Sequence, residues 1–343
     1  MKTAIILFNL GGPDGPDAVK PFLFNLFNDP AIIRLPQPLR WLVALLISGR
    51  RAPTAAKIYQ QMGGRSPILP NTEAQAAALE AALGPDFKCF IAMRYWHPRA
   101  DVQAAAVKAW GPDRILLLPL YPQYSTTTTG SSVAEWQRAT AKIGLSAPTV
   151  SLCCYPANYG FASAVAGRVR DGLAQFGAVK PRVLFSAHGL PKKIVDAGDP
   201  YQVQVEQSVA AVLARLALPD LEWVISYQSR VGPLEWIGPS TEAEVIRAGT
   251  EARPLLVVPI AFVSEHSETL VELDIEYREL AQHQGVPAYV RVPTVDTDPD
   301  FIAGLADEVQ RALASGRSVC AGAGAGDRIC TPDRVGCPCG MKG

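Results

Sequence analysis

Hydrophobic positions along this chain fall into short, unbroken blocks instead of an apolar/polar alternation. Such blocks occupy residues 3–10, 89–94, 114–120, 149–154, 183–187, 223–227, 255–263 and 288–292. Continuous apolar runs of this length, bounded by Gly, Pro, Asn or Ser, predict strands buried on both faces. Between them, apolar positions recurring every three or four residues predict helices over 72–83, 101–110, 161–176 and 202–216. Strand and helix alternate throughout, which argues for parallel sheets with helices packed on both sides.

The chain also resembles itself. LLLPLYPQYS at 116–125 and LLVVPIAFVSE at 255–265 each run from an apolar strand through an internal proline to a serine and a helix. With the block at 149–154 counted into the first half, the boundary near residue 147 leaves four predicted strands in each half, so the fold class is α/β with two similar Rossmann-like halves. Each half is expected to be a four-stranded parallel sheet flanked by helices. The expected domains are residues 1–150 and 151–315, followed by a Cys-rich tail at 316–343. The cleft between the halves is where a ligand is expected.

Residues 34–51 break the pattern. Here a nearly continuous apolar run carries Arg40 near its start and Arg50 and Arg51 at its end. It reads either as a buried helix or as an exposed apolar lip, and the flanking prolines and paired arginines favour the lip.

Composition narrows the function. With 343 residues and 48% hydrophobic content the chain can bury sizeable cores. Lys+Arg and Asp+Glu both number 32, so no bulk field draws it to nucleic acid. The amino-terminal MKTAIILFNLGGP fits a first strand better than a secretion signal, and no run reaches bilayer-spanning length. A cytoplasmic location is therefore expected, where seven cysteines read as metal ligands or core residues more than as disulfides.

Four clusters carry chemistry. RVLFSAHGLP at 182–191 places His188 at a strand's carboxyl end, where it is either a core histidine or a proton acceptor. SEHSETLVELDIEY at 264–277 opens a helix with Ser264 as its expected N-cap, putting His266 and Glu268 in the first turn. Glu265, Glu268 and Glu272 then share one stripe, either a solvated acidic face or a route for cations and protons. Trp236, between Gly232-Pro233 and Gly238-Pro239, is a core plug or a flat wall for an aromatic ligand. MRYWHP and YPQYSTTTTGSS supply Arg94, Tyr95, Tyr121 and a hydroxyl run that caps a helix near Gly130 or holds an anion. The tail adds Cys330, Cys337 and Cys339 in a C-x6-C-x-C run, matching an iron-sulfur cluster or structural zinc.

Taken together, these segments resemble the ferrochelatases, heme-synthesis enzymes that insert Fe2+ into a porphyrin. The likeness runs through LFNLGGPD at 7–14, Tyr59 with GGRSPI at 63–68, MRYWHP, YPQYSTTTTGSS, FSAHGLP, GDPY at 198–201, QSRVGPLEWIGP and SEHSETLVELDIEY. It implies that His188 accepts pyrrole protons and that Glu268, with His266 beside it, faces it from the other half of the cleft. Glu272 would continue an acidic path, making His188, His266, Glu268 and Glu272 the expected Fe2+ path. Leu10, Tyr59, Arg94, Tyr95, Tyr121 and Trp236 match porphyrin-pocket positions. The apolar segment matches the family's lip, which implies peripheral membrane contact, and the assembly expected is a monomer or homodimer.

In one place the chain departs from animal members, which carry a cluster cysteine where Thr126 stands. Its tail is instead similar to that of bacterial members with a [2Fe-2S] cluster, which implies Cys330, Cys337, Cys339 and Cys154 as ligands, with Cys153 as the alternative to Cys154. Cys320 and Cys89 are left over. The expected substrates are protoporphyrin IX and Fe2+. The rival readings are a chelatase for coproporphyrin or for cobalt and sirohydrochlorin, and a non-catalytic tetrapyrrole carrier.

Overall fold

The computed structural model of the protein describes residues 1–230, 232–322 and 328–340. Val231 of the QSRVGPLEWIGP motif, and residues 323–327 and 341–343 of the expected tail, lie outside the described residues. The strands are β1 (Thr3–Asn9), β2 (Phe87–Met93), β3 (Arg114–Pro119), β4 (Thr149–Leu152), β5 (Arg182–His188), β6 (Trp223–Gln228), β7 (Leu255–Pro259), β8 (Tyr289–Arg291) and β9 (Val319–Cys320). The helices of the first half are α1 (Val19–Phe27), α2 (Gln37–Gln60), α3 (Ile68–Leu83), α4 (Ala100–Trp110) and α5 (Thr129–Ile143). Those of the second are α6 (Tyr159–Ala174), α7 (Lys192–Asp196), α8 (Tyr201–Leu216), α9 (Thr241–Thr250), α10 (Tyr277–His283) and α11 (Pro299–Ala314). A π-helix, Glu268–Glu276, leads directly into α10.

Two parallel sheets result, ordered β2-β1-β3-β4-β9 and β6-β5-β7-β8. All seven residues of β1 and all five of β7 are buried, which is why these strands read as unbroken apolar blocks. The first sheet gains a fifth strand that the hydrophobic pattern did not announce. Val319 in β9 pairs with Ser151 in β4, so the tail begins by extending the first sheet.

Where α6 meets α11 the two backbones approach too closely for side chains. A Cβ on Gly160 would lie 2.0 Å from the Asp300 carbonyl oxygen, and one on Gly304 would lie 2.3 Å from Asn158 Oδ1. Asn158 caps α6 by accepting from Phe161 N–H at 2.9 Å, while its amide donates to Gly304 O and to the buried Glu308. These contacts fix the start of the second half against the last long helix.

From residue 37 on, the segment at 34–51 belongs to the 24-residue helix α2. Leu39, Trp41, Leu42, Leu45 and Leu46 are all exposed, Leu46 at 72%, so the lip and not a core helix is what this run builds. Among the described residues no helix is long and apolar enough to cross a membrane.

Strand ends explain the geometry that follows. Leu10, Arg94, Tyr121, His188, Ser229 and the 260–267 segment follow or close the carboxyl ends of β1, β2, β3, β5, β6 and β7, the edge of parallel sheets where ligands bind. Contacts between the halves hold that edge: Gln75 of α3 donates to Val263 O at 2.9 Å, and Gln123 donates to Ser208 Oγ at 2.8 Å.

Candidate active site and thiol pocket

His188 is the last residue of β5, and Glu268 is the first residue of the π-helix that follows β7. Because β5 and β7 are neighbours, the two side chains meet directly, His188 Nδ1 lying 2.9 Å from Glu268 Oε2. His266 Nε2 stands 3.7 Å from the same oxygen. Both members of the pair thus come from the second half, correcting the expectation that Glu268 faces His188 across the cleft. The imidazole is 41% exposed and the carboxylate 24%, so the pair is open to solvent on one side.

Burial works against charge on either group, but each supplies what the other needs. The Glu268 carboxyl is held well below the usual range by the charges of, and bonds to, His188 and His266. The His188 imidazole is correspondingly raised by Glu268 and, more weakly, by Glu272. Glu272 goes the other way: burial and the neighbouring Glu268 charge raise it, against hydrogen bonds from Ser229 and Gln228. Three groups with proton affinities pushed apart along one line suit proton transfer.

Glu272 is held by four donors: Ser229 N–H at 2.7 Å, Ser229 Oγ at 2.5 Å, Gln228 Nε2 at 3.1 Å and Tyr277 OH at 3.2 Å. Ser229 adopts φ +61°, a left-handed conformation unusual for a residue with a side chain, and this aims both its donors at one carboxylate. Gln228 also donates to Glu268 O at 2.8 Å. Sequence reasoning missed Gln228 and Ser229, although the break after the sixth strand, QSR, was visible.

The expected stripe of three glutamates does not form. Pro259 ends β7 early, and the chain runs irregularly to Ser267, so Ser264 caps no helix and the turn opens at Glu268. Glu265 turns away to pair with Arg291 at 2.6 Å and to accept from Thr294 N–H at 2.9 Å. In its place the wide π-turn puts Glu272 behind Glu268, with Glu276 exposed four residues further along.

Trp236 bridges Pro191 and lies over Gly189, whose added Cβ would meet the indole at 3.2 Å. The indole thus packs over the turn that directly follows His188. From the first half, Tyr59 ends the lip helix and its hydroxyl faces Ser267 and Glu268, its pKa pushed up to about 12, chiefly by burial. Tyr59 packs with Tyr95, Val19, Phe22 and Leu23, and Leu10 borders the same cluster.

The polar groups of Arg94 and Tyr95 are already engaged. Arg94 pairs with buried Asp29 at 2.7 Å and donates to Ser131 Oγ at 2.6 Å, while Tyr95 OH donates to the same Asp29 oxygen at 2.8 Å. Breaking such a buried pair would strand a charge, so Arg94 acts here as a scaffold of the first half. Tyr121 packs partly buried against the outer core of the first sheet. The hydroxyl run holds an anion that belongs to the protein: Ser125 Oγ, Thr126 N–H and Thr126 Oγ1 all donate to Asp199 Oδ2, at 3.1, 2.8 and 2.7 Å.

Five cysteines converge at the far side of this corner. Cys153 Sγ lies 3.2 Å from Cys154 Sγ and 3.4 Å from Cys339 Sγ, and Cys337 contacts both Cys330 and Cys339. All are free thiols. Those contacts hold the Cys337 thiol well below its usual value, against burial. Gln204 Nε2 donates to Cys154 Sγ at 3.4 Å and Cys330 Sγ at 3.2 Å. Tyr124 and Ala321 close the pocket with apolar surface. Cys320 stays in β9 and Cys89 in β2, outside the pocket. Among the described residues, no three His, Cys, Asp or Glu are spaced to hold a single metal ion as they stand. What fits an iron-sulfur group is the donor chemistry: soft, unbridged sulfurs, four of the five buried and Cys339 partly so, with an N–H donor among them.

Solved structures of similar shape define the class. The chain aligns with SirB from Bacillus subtilis, solved with Fe3+, at TM-score 0.54 and 14% identity over 92% of this chain and 97% of that one. It aligns with CbiX, described as the terminal enzyme of siroheme biosynthesis in denitrifying bacteria, at TM-score 0.50 and 15% identity, covering 91% and 100%. The fold is therefore of the chelatase type.

Within that class the family is specific. The ferrochelatase family model matches residues 2–313. A ferrochelatase of Caulobacter vibrioides is 53% identical over 348 residues, covering 98% of this chain and 97% of the relative. One of Phenylobacterium zucineum is 58% identical over 322 residues, covering 91% and 92%. The chain belongs to the ferrochelatase family, metal chelatases that insert ferrous iron into a porphyrin to give heme.

Proposed function

We propose that this chain inserts Fe2+ into protoporphyrin IX, with His188 as the proton acceptor and Glu268 as its charged partner. The observation carrying this is the 2.9 Å contact between the two, at the strand ends beside Trp236 and Tyr59. A flat porphyrin resists metallation because its two N–H groups occupy the hole. An enzyme that binds the ring bent exposes the nitrogen lone pairs, and so favours the transition state over the ground state. Trp236 and the lip are the walls that apply this strain.

Fe2+ must shed water as it arrives, and Glu268, with His266 at its side, replaces that water. His188 takes the pyrrole protons. Glu272, whose carboxyl is raised and surrounded by donors, suits the next station, and exposed Glu276 leads to solvent.

The thiol pocket suits a [2Fe-2S] cluster held by Cys330, Cys337, Cys339 and Cys154, with Cys153 in reach as the alternative. Bound there, such a group supplies a covalent tie between the tail and mid-chain, and an electron-transfer capacity that porphyrin metallation does not use.

The substrate assignment is tested anaerobically with purified protein, Fe2+ and either protoporphyrin or coproporphyrin. The expected result is replacement of the free-base spectrum by the heme spectrum, with a higher kcat/KM for protoporphyrin. A higher kcat/KM for coproporphyrin would reassign the substrate, and ring binding without turnover would make the protein a carrier.

We further propose that the α2 lip contacts the membrane surface from the cytoplasmic side. Its leucines and Trp41 are exposed together, with Arg50 and Arg51 beyond them. Leu42→Asp with Leu46→Asp is expected to lower binding to anionic vesicles about tenfold or more, since each buried leucine contributes roughly 1.5–3 kcal/mol. Co-sedimentation equal to wild type would remove the lip as the contact.

A further inference from the structure

The first turn of α8 touches three places that the reaction scheme treats separately. At its start, the buried Tyr201 donates its hydroxyl to the His188 carbonyl at 3.1 Å. Its N–H donates at 3.0 Å to Asp199, whose other oxygen takes the Ser125 and Thr126 donors of the first half. Three residues on, Gln204 is fully buried and donates to the sulfurs of Cys154 and Cys330. Its Oε1 accepts from Tyr124 N–H at 2.7 Å. The tail reaches the same corner a second time, where Gly336 N–H donates to Gly198 O at 3.0 Å.

We infer that this turn ties the position of His188 to the state of the thiol pocket, with Gln204 reading the sulfurs and Tyr201 passing the position on. This rests on the reading of His188 as proton acceptor and of the thiols as a ligand set. Gln204 has no solvent to fall back on, so displacement of the sulfurs leaves buried donors unpaired unless the turn shifts with them. A helical turn moves as a unit, and Tyr201, at the start of the same turn, carries that shift to the backbone of His188. Tyr201 and Gln204 are positioning residues; neither touches substrate. The arrangement gives the thiol pocket a purpose in a reaction that transfers no electrons.

Tyr201→Phe removes one hydroxyl and keeps the ring. In full-length protein, kcat is expected to fall about three- to tenfold with KM for porphyrin within about twofold, as for the loss of one buried hydrogen bond. Amide exchange over residues 188–190 should quicken. Cys337→Ser should quicken exchange over the same residues, and in the Tyr201→Phe background it should add little there. Gln204→Leu, which keeps every sulfur, serves the same comparison where Cys337→Ser is insoluble. Wild-type kcat and exchange in Tyr201→Phe would overturn the inference, as would fully independent effects in the double variant. Wild-type protein lacking the visible bands of an iron-sulfur cluster would overturn the cluster reading alone, because the exchange comparison still reports on the thiol contacts. Wild-type turnover in His188→Ala would overturn the base assignment alone, for the same reason.

Discussion

His188→Ala is expected to bind porphyrin within about twofold of wild type while iron insertion falls by about 10²- to 10⁴-fold, the usual scale for losing a positioned proton acceptor. Binding should survive because the walls proposed above, Trp236, Tyr59 and the apolar lip, are held by packing that does not involve the imidazole. The chemistry should not survive, because the variant leaves no imidazole at the end of β5 to take the pyrrole protons. Fluorescence quenching of the bound ring and anaerobic turnover, measured on the same preparation, separate the two effects. Near-normal turnover would remove His188 from the role of base.

Glu268→Gln keeps the shape of the side chain and deletes its charge. Turnover is expected to fall by about 10²-fold, and the pH dependence of what remains should move. In the wild type, burial lowers the His188 pKa, but the Glu268 charge and bond outweigh it and raise the net value. Turnover should therefore climb with pH as the imidazolium empties through that raised value. Without the charge, the climb should occur at lower pH.

The same pair sets a stability window. The His188 contribution is complete below the ordinary histidine value and is lost as pH rises through the raised one. The Glu268 contribution is complete above the ordinary carboxylate value and is lost as pH falls through the lowered one. Both are present in full between about pH 4.3 and about pH 6.5. A Glu268→Gln enzyme with wild-type kcat and an unmoved pH profile would contradict the pairing.

Much of this arrangement was legible because parallel strands buried on both faces have no polar side to disguise them. β1, β3, β5 and β7 stood out for that reason, and His188 stood out as the polar residue closing one of them. β9 was invisible, since two residues next to a serine carry no periodicity. The π-helix was equally hidden: its wider turn leaves no trace in the spacing of apolar residues, so the acidic stripe was drawn through Glu265, which in fact turns away to Arg291. Asp29 and Asp199 could not be found from sequence either. Their partners lie in loops far along the chain, and only tertiary contact shows that Arg94, Tyr95 and the hydroxyl run are committed to them. The cysteines were legible as a set, but their convergence on Gln204 was not.

The pairing of β9 with β4 has a consequence for how the protein is made. During synthesis β4 leaves the ribosome long before Val319 and Cys320 exist, so one margin of the first sheet waits uncovered, with the mid-chain thiols behind it. The nascent chain therefore passes through a stage in which both a sticky strand margin and two oxidisable sulfurs face solvent. Yield would then be governed by how fast the late segment docks and not by the stability of the finished fold.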